Sequence, residues 1–533
     1  MTELLPTLAT FPWASSVDIE VRGGTPGELT VWHLGDLVAC EPYDGRGTIS
    51  LGTLPAGCYG IELTQGDEVV RTAVEVSLDA SARHRYGFVV DYSPDRDVSG
   101  VTDLARRLHL TDVQFYDWAY RHADLLGGGD EYRDALDQPV TLDTVRRLVD
   151  GLRAVGSRSL GYAAVYAVGP LEWNRWKAVA ILSADGKPYT LGDFLFLIDP
   201  AAPGWLTHFR SELRRAVSSV GFDGFHLDQY GYPKRALRAD GTSVDIAESF
   251  VELIEGVRTE LPSARLVFNN VNDFPTWRTA STPQDTVYIE VWEPTLDLGS
   301  LAEVVTRARS VAQGKPVVIA AYQHVYDSVP AAAADLATAF TMATLFSHGA
   351  TQLLAGEADR ILVDPYYVRN HVVERSTADL LRRWYDFLVE HDELLVAPSI
   401  VDVTAAVTGP YNDDCDVTFT DAPVTGAPQP GAVWRRATES AGRTVLHLIN
   451  LVGQDDTLWD SPRVQPGHPG VGTVRIRCLG GNAVPRVQVS DPDGSGRLTD
   501  VAVSVQGNYA HAVLPALSIW QVVLINAAGK DLS

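Results

Sequence analysis

The sequence predicts a (β/α)8 barrel set between two all-β modules, and three observations lead there. Eight short apolar runs rich in β-formers recur between residues 85 and 395. Amphipathic helical stretches occupy most of the gaps between them. On either side of that region the pattern changes to alternating strands broken by Gly and Pro. A chain of 533 residues is also too long for one ordinary core.

The first module, residues 1–84, reads as a small β-sandwich from SVDIEVRG, ELTVWHL, CYGIELTQG and VRTAVEVSL. The eight central runs follow in order. They are YGFVVDYS (86–93), DVQFYDWA (112–119), SLGYAAVYAV (159–168), DGFHLDQYG (223–231), ARLVFNNVN (264–272), TVYIEVW (286–292), KPVVIAAYQH (315–324) and ATQLLAGE (350–357). TLDTVRRLVDGLRAVG, GWLTHFRSELRRAVSSVG and AESFVELIEGVRTEL carry apolar residues at helical spacing with charges opposite. An open, doubly wound sheet is the alternative, and the eightfold recurrence disfavours it. Residues 396–533 form the last module. SIVDVTAAV, DVTFTDA, GAVWRRAT, RTVLHLINL, GTVRIRCL, PRVQVSD and NYAHAVLPAL read there as strands of a Greek-key-sized sandwich.

Composition excludes several function classes. With 43 basic against 68 acidic residues the net charge is −25, which repels a nucleic-acid backbone, so no nucleic-acid partner is expected. No apolar run reaches the length of a membrane span, and no membrane partner is expected. The N-terminus MTELLPTLATFPWASS lacks the basic and long apolar segments of a secretion signal, so the expected location is cytoplasmic. Cys40, Cys58, Cys415 and Cys478 show no C-x-x-C spacing, and buried free thiols are expected in preference to disulfides. The histidines 109, 122, 226, 324 and 348 show no metal-ligand spacing, GGG at 127–129 lacks a following Lys-Ser or Lys-Thr, and no G-x-S-x-G elbow occurs. No metal and no cofactor are expected.

Barrel enzymes build their sites at the C-terminal ends of the strands. Those ends carry Asp91 and Tyr92, then Tyr116, Asp117 and Trp118, then Tyr166, then Asp228 and Gln229. They continue with Asn269, Asn270 and Asn272, Glu290 and Trp292, Tyr322, Gln323 and His324, and Glu357. This ring of carboxylates, amides and aromatics suits a neutral polyol. Amides and carboxylates pair with sugar hydroxyls, and aromatic faces cover the apolar faces of pyranose rings.

Glycoside hydrolysis needs two carboxyl groups flanking the scissile bond. Asp228 and Glu290 stand at equivalent ends of the fourth and sixth runs, and alternate strands feed the same barrel layer. Glu293, Asp91, Asp117 and Glu357 compete for these roles on chain position alone.

Several stretches stand out together: RYGF (85–88), VQFYDWAYRH (113–122), FDGFHLDQYG (222–231), VYIEVW (287–292), RWYDFLVEHDELL (383–395) and INL (449–451). In this order they resemble glycoside hydrolase family 66, the dextranases and cycloisomaltooligosaccharide glucanotransferases. The resemblance implies an immunoglobulin-like N-terminal domain, a (β/α)8 catalytic barrel and a C-terminal β-sandwich. It implies Asp228 as nucleophile and Glu290 as acid/base in a retaining double displacement on α-1,6-glucosidic bonds, with Asp117 binding the innermost sugar. The residues expected to bind substrate are Asp91, Tyr116, Asp117, Trp118, His122, Tyr166, Gln229, Asn270, Trp292, Gln323 and Glu357. The partner is then an oligosaccharide or polysaccharide, dextran-derived, isomalto- or cyclic. No gap between the runs holds the inserted binding module of the cyclising members, which favours hydrolysis. Transglycosylation and an inactive, carbohydrate-binding protein are the alternatives.

Overall fold

The computed structural model describes residues 2–409, 411–478 and 484–526. Residues 410, 479–483 and 527–533 of the expected C-terminal module lie outside the described residues.

The central sheet takes its strands in chain order: β1 (Tyr86–Val89), β2 (Asp112–Phe115), β3 (Arg158–Ala164), β4 (Gly224–Asp228), β5 (Arg265–Asn269), β6 (Thr286–Glu290) and β7 (Val317–Ala320). Each pairs in parallel with the next. The eighth stretch, 351–356, joins both ends. Thr351–Gln352 pairs with β7, and Gly356 pairs with Phe88 of β1. The sheet therefore curls back on itself, an arrangement compatible with the expected barrel. Phe225 and Leu227 of β4 and Val287 and Ile289 of β6, which alternate with the residues of the inner face, are buried and apolar because helices cover the outer face.

Helices follow the strands: α1 (Ser99–Arg107), α2 (Leu142–Ala154), α3 (Pro203–Val220), α4 (Ile246–Glu260), a single turn α5 (Thr276–Thr279), α6 (Leu298–Val311), α7 (Ala331–His348) and α8 (Arg375–Glu390). Helix α3 shows how sequence sets these elements. Pro203 opens it, where a missing N–H costs nothing, and Trp205, Phe209, Leu213, Ala216 and Val220 bury one stripe. Gly221 ends it at φ +94°, a left-handed cap that an L side chain would strain. The chain then enters β4 at Gly224, where an added Cβ would sit 1.9 Å from the Arg265 carbonyl oxygen. These two glycines frame the delivery of β4 into the sheet.

The N-terminal region pairs Glu3–Pro6, Asp18–Arg22 and Thr48–Ser50 in one sheet, and Phe11–Pro12, Glu68–Ser77, Gly57–Gln65, Gly27–His33 and Asp36–Tyr43 in another. Strand Asp36–Tyr43 escapes the sequence pattern because its side chains are almost all exposed, leaving no alternation to read. In the C-terminal region SIVDVTAAV is not one strand: Val401–Asp402 pairs, and Thr404–Val407 makes a helical turn. Helix α7 is buried at every residue from Ala337 to His348, since the C-terminal strand Arg443–Asn450 packs against the side facing away from the sheet. All four cysteines are free; Cys58 and Cys415 are buried, but Cys40 is exposed, contrary to the expectation of buried thiols throughout.

Candidate active site

Because strand side chains alternate between faces, residues two apart share the inside of the curled sheet. His226 and Asp228 of β4, Tyr288 and Glu290 of β6, and Asn269 of β5 all line one cleft of about 260 Å³ at the C-terminal end of the strands. Tyr116, Asp117, His122, Tyr162, Trp292 and Tyr322 complete its inner wall.

Hydrogen bonds from neighbouring side chains hold the two carboxylates. The Tyr162 hydroxyl donates to Asp228 Oδ2 at 2.7 Å, and Asn269 Nδ2 donates to Asp228 Oδ1 at 2.7 Å. The same nitrogen donates to Glu290 Oε2 at 2.8 Å, and the Tyr322 hydroxyl donates to Glu290 Oε1 at 3.1 Å. Two oxygens at 2.7 and 2.8 Å from one nitrogen lie no more than about 5.5 Å apart. Burial pushes both groups above the usual carboxylate range, opposed by the bonds from Tyr162 and Asn269 at Asp228. At Glu290 burial is joined by the nearby charge of Asp228, so each group holds a proton above the ordinary range and the pair resists carrying two charges at once.

Asp117 differs from both. It follows β2 at φ +46°, an uncommon backbone for a residue other than glycine, and its carboxylate accepts no hydrogen bond from any described residue. Burial, with the charges of Asp134 and Asp228 behind it, raises its pKa well above the ordinary value. A hydroxyl-bearing ligand in the cleft satisfies such a group directly. His226, on the floor, is held neutral, its pKa lowered by burial to about 3.

Of the residues expected to bind substrate, Tyr116, Asp117, His122, Gln229 and Trp292 line the cleft. Gln229 also braces its own loop, donating to the Asn269 and Phe274 carbonyls and accepting from Gly231 N–H. The other six do not reach it. Trp118 is fully buried, donates to the Tyr162 carbonyl and packs on Phe222, because the chain turns at Asp117 and sends the indole into the core. Tyr166 ties the Tyr230–Tyr232 loop, donating to the Tyr232 carbonyl and accepting from Tyr230 N–H. Asn270 points the other way from Asn269 and bonds to the Phe268 and Tyr288 carbonyls and to Thr279. Gln323 is buried against Thr338 and Thr341. Glu357 accepts from Val90 and Asp91 N–H and pairs with Arg96, while Asp91 accepts from Ser93 N–H near the surface.

Sequence reasoning places Asn269 and Tyr322 at strand ends without assigning them to substrate and passes over Tyr162, although all three touch the two carboxylates. The register between strands brings them there: Tyr162 pairs with His226, Asn269 with Tyr288, and Tyr322 stands two residues beyond Ala320, the partner of Glu290. Sequence reasoning also passed over Phe194 and Tyr366, which come from loops whose course no local pattern sets. Among the described residues, no group of three or more His, Cys, Asp and Glu is arranged to hold a metal ion, and no helix is long and apolar enough to cross a membrane.

A segment of the C-terminal region reaches the loops behind the cleft. Trp459 Nε1 donates to the Thr295 carbonyl at 2.9 Å, just beyond Trp292. Asp460 accepts from Val325 N–H at 2.9 Å and lies 3.0 Å from His324 Nδ1, just beyond Tyr322.

The profile of glycosyl hydrolase family 66 matches residues 59–524. A cycloisomaltooligosaccharide glucanotransferase of Niallia circulans is 25% identical over 285 residues, covering 48% of this chain and 29% of that protein. A dextranase of Streptococcus salivarius is 23% identical over 456 residues, covering 72% of this chain and 54% of that protein. The chain thus spans well under two thirds of these relatives. Among solved structures, a Paenibacillus cycloisomaltooligosaccharide glucanotransferase complexed with cycloisomaltoheptaose superposes with a TM-score of 0.87 at 17% identity, covering 98% of this chain and 99% of that one. That likeness is one of fold.

Proposed function

The chain belongs to glycosyl hydrolase family 66, and from that premise we propose that it is a retaining glycoside hydrolase acting on α-1,6-glucosidic bonds of dextran-derived, isomalto- or cyclic oligosaccharides. Its scaffold in this reading is a (β/α)8 barrel, residues 85–395, with an immunoglobulin-like sandwich before it and a Greek-key sandwich after it. Asp228, ionised, attacks the anomeric carbon from the face opposite the leaving oxygen and forms a β-glycosyl ester. Glu290, protonated, gives its proton to the departing oxygen. It then takes a proton from the water that attacks the ester, and the sugar leaves with its α configuration restored. Asp117 accepts from hydroxyls of the ring bound at Asp228.

One observation carries the retaining assignment: a single amide nitrogen touches both carboxylates, which keeps their facing oxygens within about 5.5 Å. Retaining pairs stand about 5–5.5 Å apart, whereas inverting pairs stand about 6.5–9.5 Å apart to admit a water between them. The test is the anomer released at early times from isomaltotriose, followed by proton NMR. The α-anomer first supports the assignment; the β-anomer first overturns it.

Transfer to a second sugar uses the same ester, and Trp292 favours it as a second reading. Its ring lies 5.7 Å from Tyr322 on the Glu290 side of the cleft, where an acceptor ring approaches. Oligosaccharides longer than the substrate at high substrate concentration identify transfer; free reducing sugar alone identifies hydrolysis.

A further inference from the structure

The N-terminal ends of the strands, opposite the cleft, enclose a separate cavity of about 40 Å³. It lies where the curled sheet closes. Arg83 and Arg85 lead into β1, Lys315 leads into β7, and Thr351 opens the eighth stretch. Arg309 reaches it from the last turn of α6, and Asp392 from just beyond α8. None of these residues lines the cleft.

The charges around this cavity do not balance. Arg83 Nε donates to Asp392 Oδ1 at 2.5 Å, and Arg85 Nη2 stands 2.7 Å from Glu75 Oε2, so each of these cations has its own carboxylate. His84 is held neutral, its pKa lowered by burial to about 3. Arg309 and Lys315 are different: among the described residues neither forms an ion pair. Arg309 donates to the Gly349 and Ala397 carbonyls, each at 3.0 Å, and Lys315 donates to the Ala280 and Thr282 carbonyls at 2.6 and 3.2 Å. Carbonyl dipoles soften a charge without cancelling it. The carboxylates beyond them are already taken, Asp285 by Arg258 at 2.7 Å and Asp402 by Arg436 at 2.9 Å. Burial draws the pKa of both Arg309 and Lys315 below its ordinary value, and the like charge of Arg436 adds to this at Arg309.

Two details sharpen the imbalance. Arg85 is 1% exposed, yet its Nη1 has no hydrogen-bond partner among the described residues. Gly349 stands at φ +88°, and a Cβ there would sit 2.5 Å from Arg309 Nη1, so the glycine leaves the guanidinium its place beside the cavity. Two unpaired cations and an orphaned donor around one enclosed space call for an acceptor that carries negative charge. A space of 40 Å³ holds one small ion with about one or two waters beside it.

We propose that this cavity binds a small monovalent anion of halide size, chloride in ordinary salt, held by Arg309 and Lys315. The ion ties α6 and the start of β7 to the segment before β1, across the seam where the first and last strands of the sheet meet. Its effect falls on stability, and the inference stands apart from the α-glucan reading above.

The experiment is thermal unfolding of the full chain in sodium chloride and in sodium gluconate at equal ionic strength. Both salts screen surface charge alike, and gluconate is too large for the cavity. Tm should be about 1–2 °C higher in chloride once the site is filled, and the difference should level off with concentration. Lys315→Met and Arg309→Met should each lose that difference; if Arg309→Met does not fold, Lys315→Met decides. A second measurement needs no variant: crystals of the wild-type protein soaked in sodium bromide should show an anomalous peak between Arg309 and Lys315. Equal melting in the two salts, a difference that persists in Lys315→Met, or no anomalous peak in the cavity overturns the site.

Discussion

Asp228 and Glu290 accept hydrogen bonds from one nitrogen, Asn269 Nδ2, at 2.7 and 2.8 Å. A neutral donor placed between the part-buried Asp228 and the buried Glu290 does two things at once. It sets their spacing, and it offsets part of the cost of holding a charge between them. Neither strand β4 nor strand β6 could do this alone, since the donor stands on β5 between them.

Asn269→Ala should therefore be worse than the loss of one ordinary contact. Removing a donor to a charged group costs about 1.5–3 kcal/mol, and here both carboxyl groups lose it. We expect kcat to fall about 10- to 100-fold with a smaller change in KM. Unaltered kcat would remove Asn269 from any positioning role.

Asp228→Asn should lower kcat on the order of 10⁴-fold or more, since no ester forms without the nucleophile. Glu290→Gln should cost about 10²- to 10⁴-fold on oligosaccharides. The Glu290→Gln loss should shrink on aryl glucosides, whose leaving groups need no proton. Steady-state kinetics on both substrate types separate the two roles; equal losses on both would argue against Glu290 as the acid.

The pH dependence follows from the direction of the shifts. Both groups are raised, chiefly by burial, and the working state needs Asp228 charged and Glu290 protonated. Activity should fall below about 6 as Asp228 takes up a proton, and above about 7 as Glu290 loses its own. Stability falls as pH rises, opposite to the Asp228 limb of the activity profile. A carboxyl whose folded pKa is raised supports folding fully below its unfolded pKa, and that support is lost as pH rises through the folded value. Asp228→Asn should then melt higher than the wild type at pH 8, by about 1–3 kcal/mol, with the gap closing near pH 4. A gap that does not vary with pH would contradict this.

Trp118→Ala separates packing from ligand contact. Its indole is fully buried and bonded to the Tyr162 carbonyl, so truncation should cost about 3–5 kcal/mol of stability. Denaturant titration reads that loss. A milder Trp118→Phe protein, if folded, should keep KM within about twofold; a KM rise with normal stability would restore the indole as a ligand contact.

The parts of the molecule that the sequence made legible are those with a local cause. The central strands announce themselves as apolar runs because helices bury their outer faces, and Gly221 and Gly224 mark where one of those strands begins. Asp228 and Glu290 stand out as a pair, at equivalent ends of the fourth and sixth runs, where a single carboxylate would read as an ordinary strand terminus or cap. The adjacent pair Asn269–Asn270 shows where this stops. Both are amides at a strand end, and only the register of β5 against its neighbours decides that the first faces the cleft and the second faces away. Trp118 was misread for a similar reason: the left-handed turn at Asp117 reverses the direction of the next side chain. Phe194 and Tyr366 line the same cleft because two loops far apart in sequence converge, and no window of sequence records that.

The contacts made by Trp459 and Asp460 have a consequence for how the protein can be cut and recombined. Those two residues belong to the C-terminal region, yet they anchor the loops that follow Trp292 and Tyr322. A gene fragment ending near residue 396 encodes every side chain that touches Asp228 and Glu290 and still omits what steadies two of the loops around them. The catalytic portion is thus no portable cassette. A chimera that swaps C-terminal domains among relatives has to carry matched partners for Thr295 and Val325, so these two parts of the chain should be inherited together rather than shuffled.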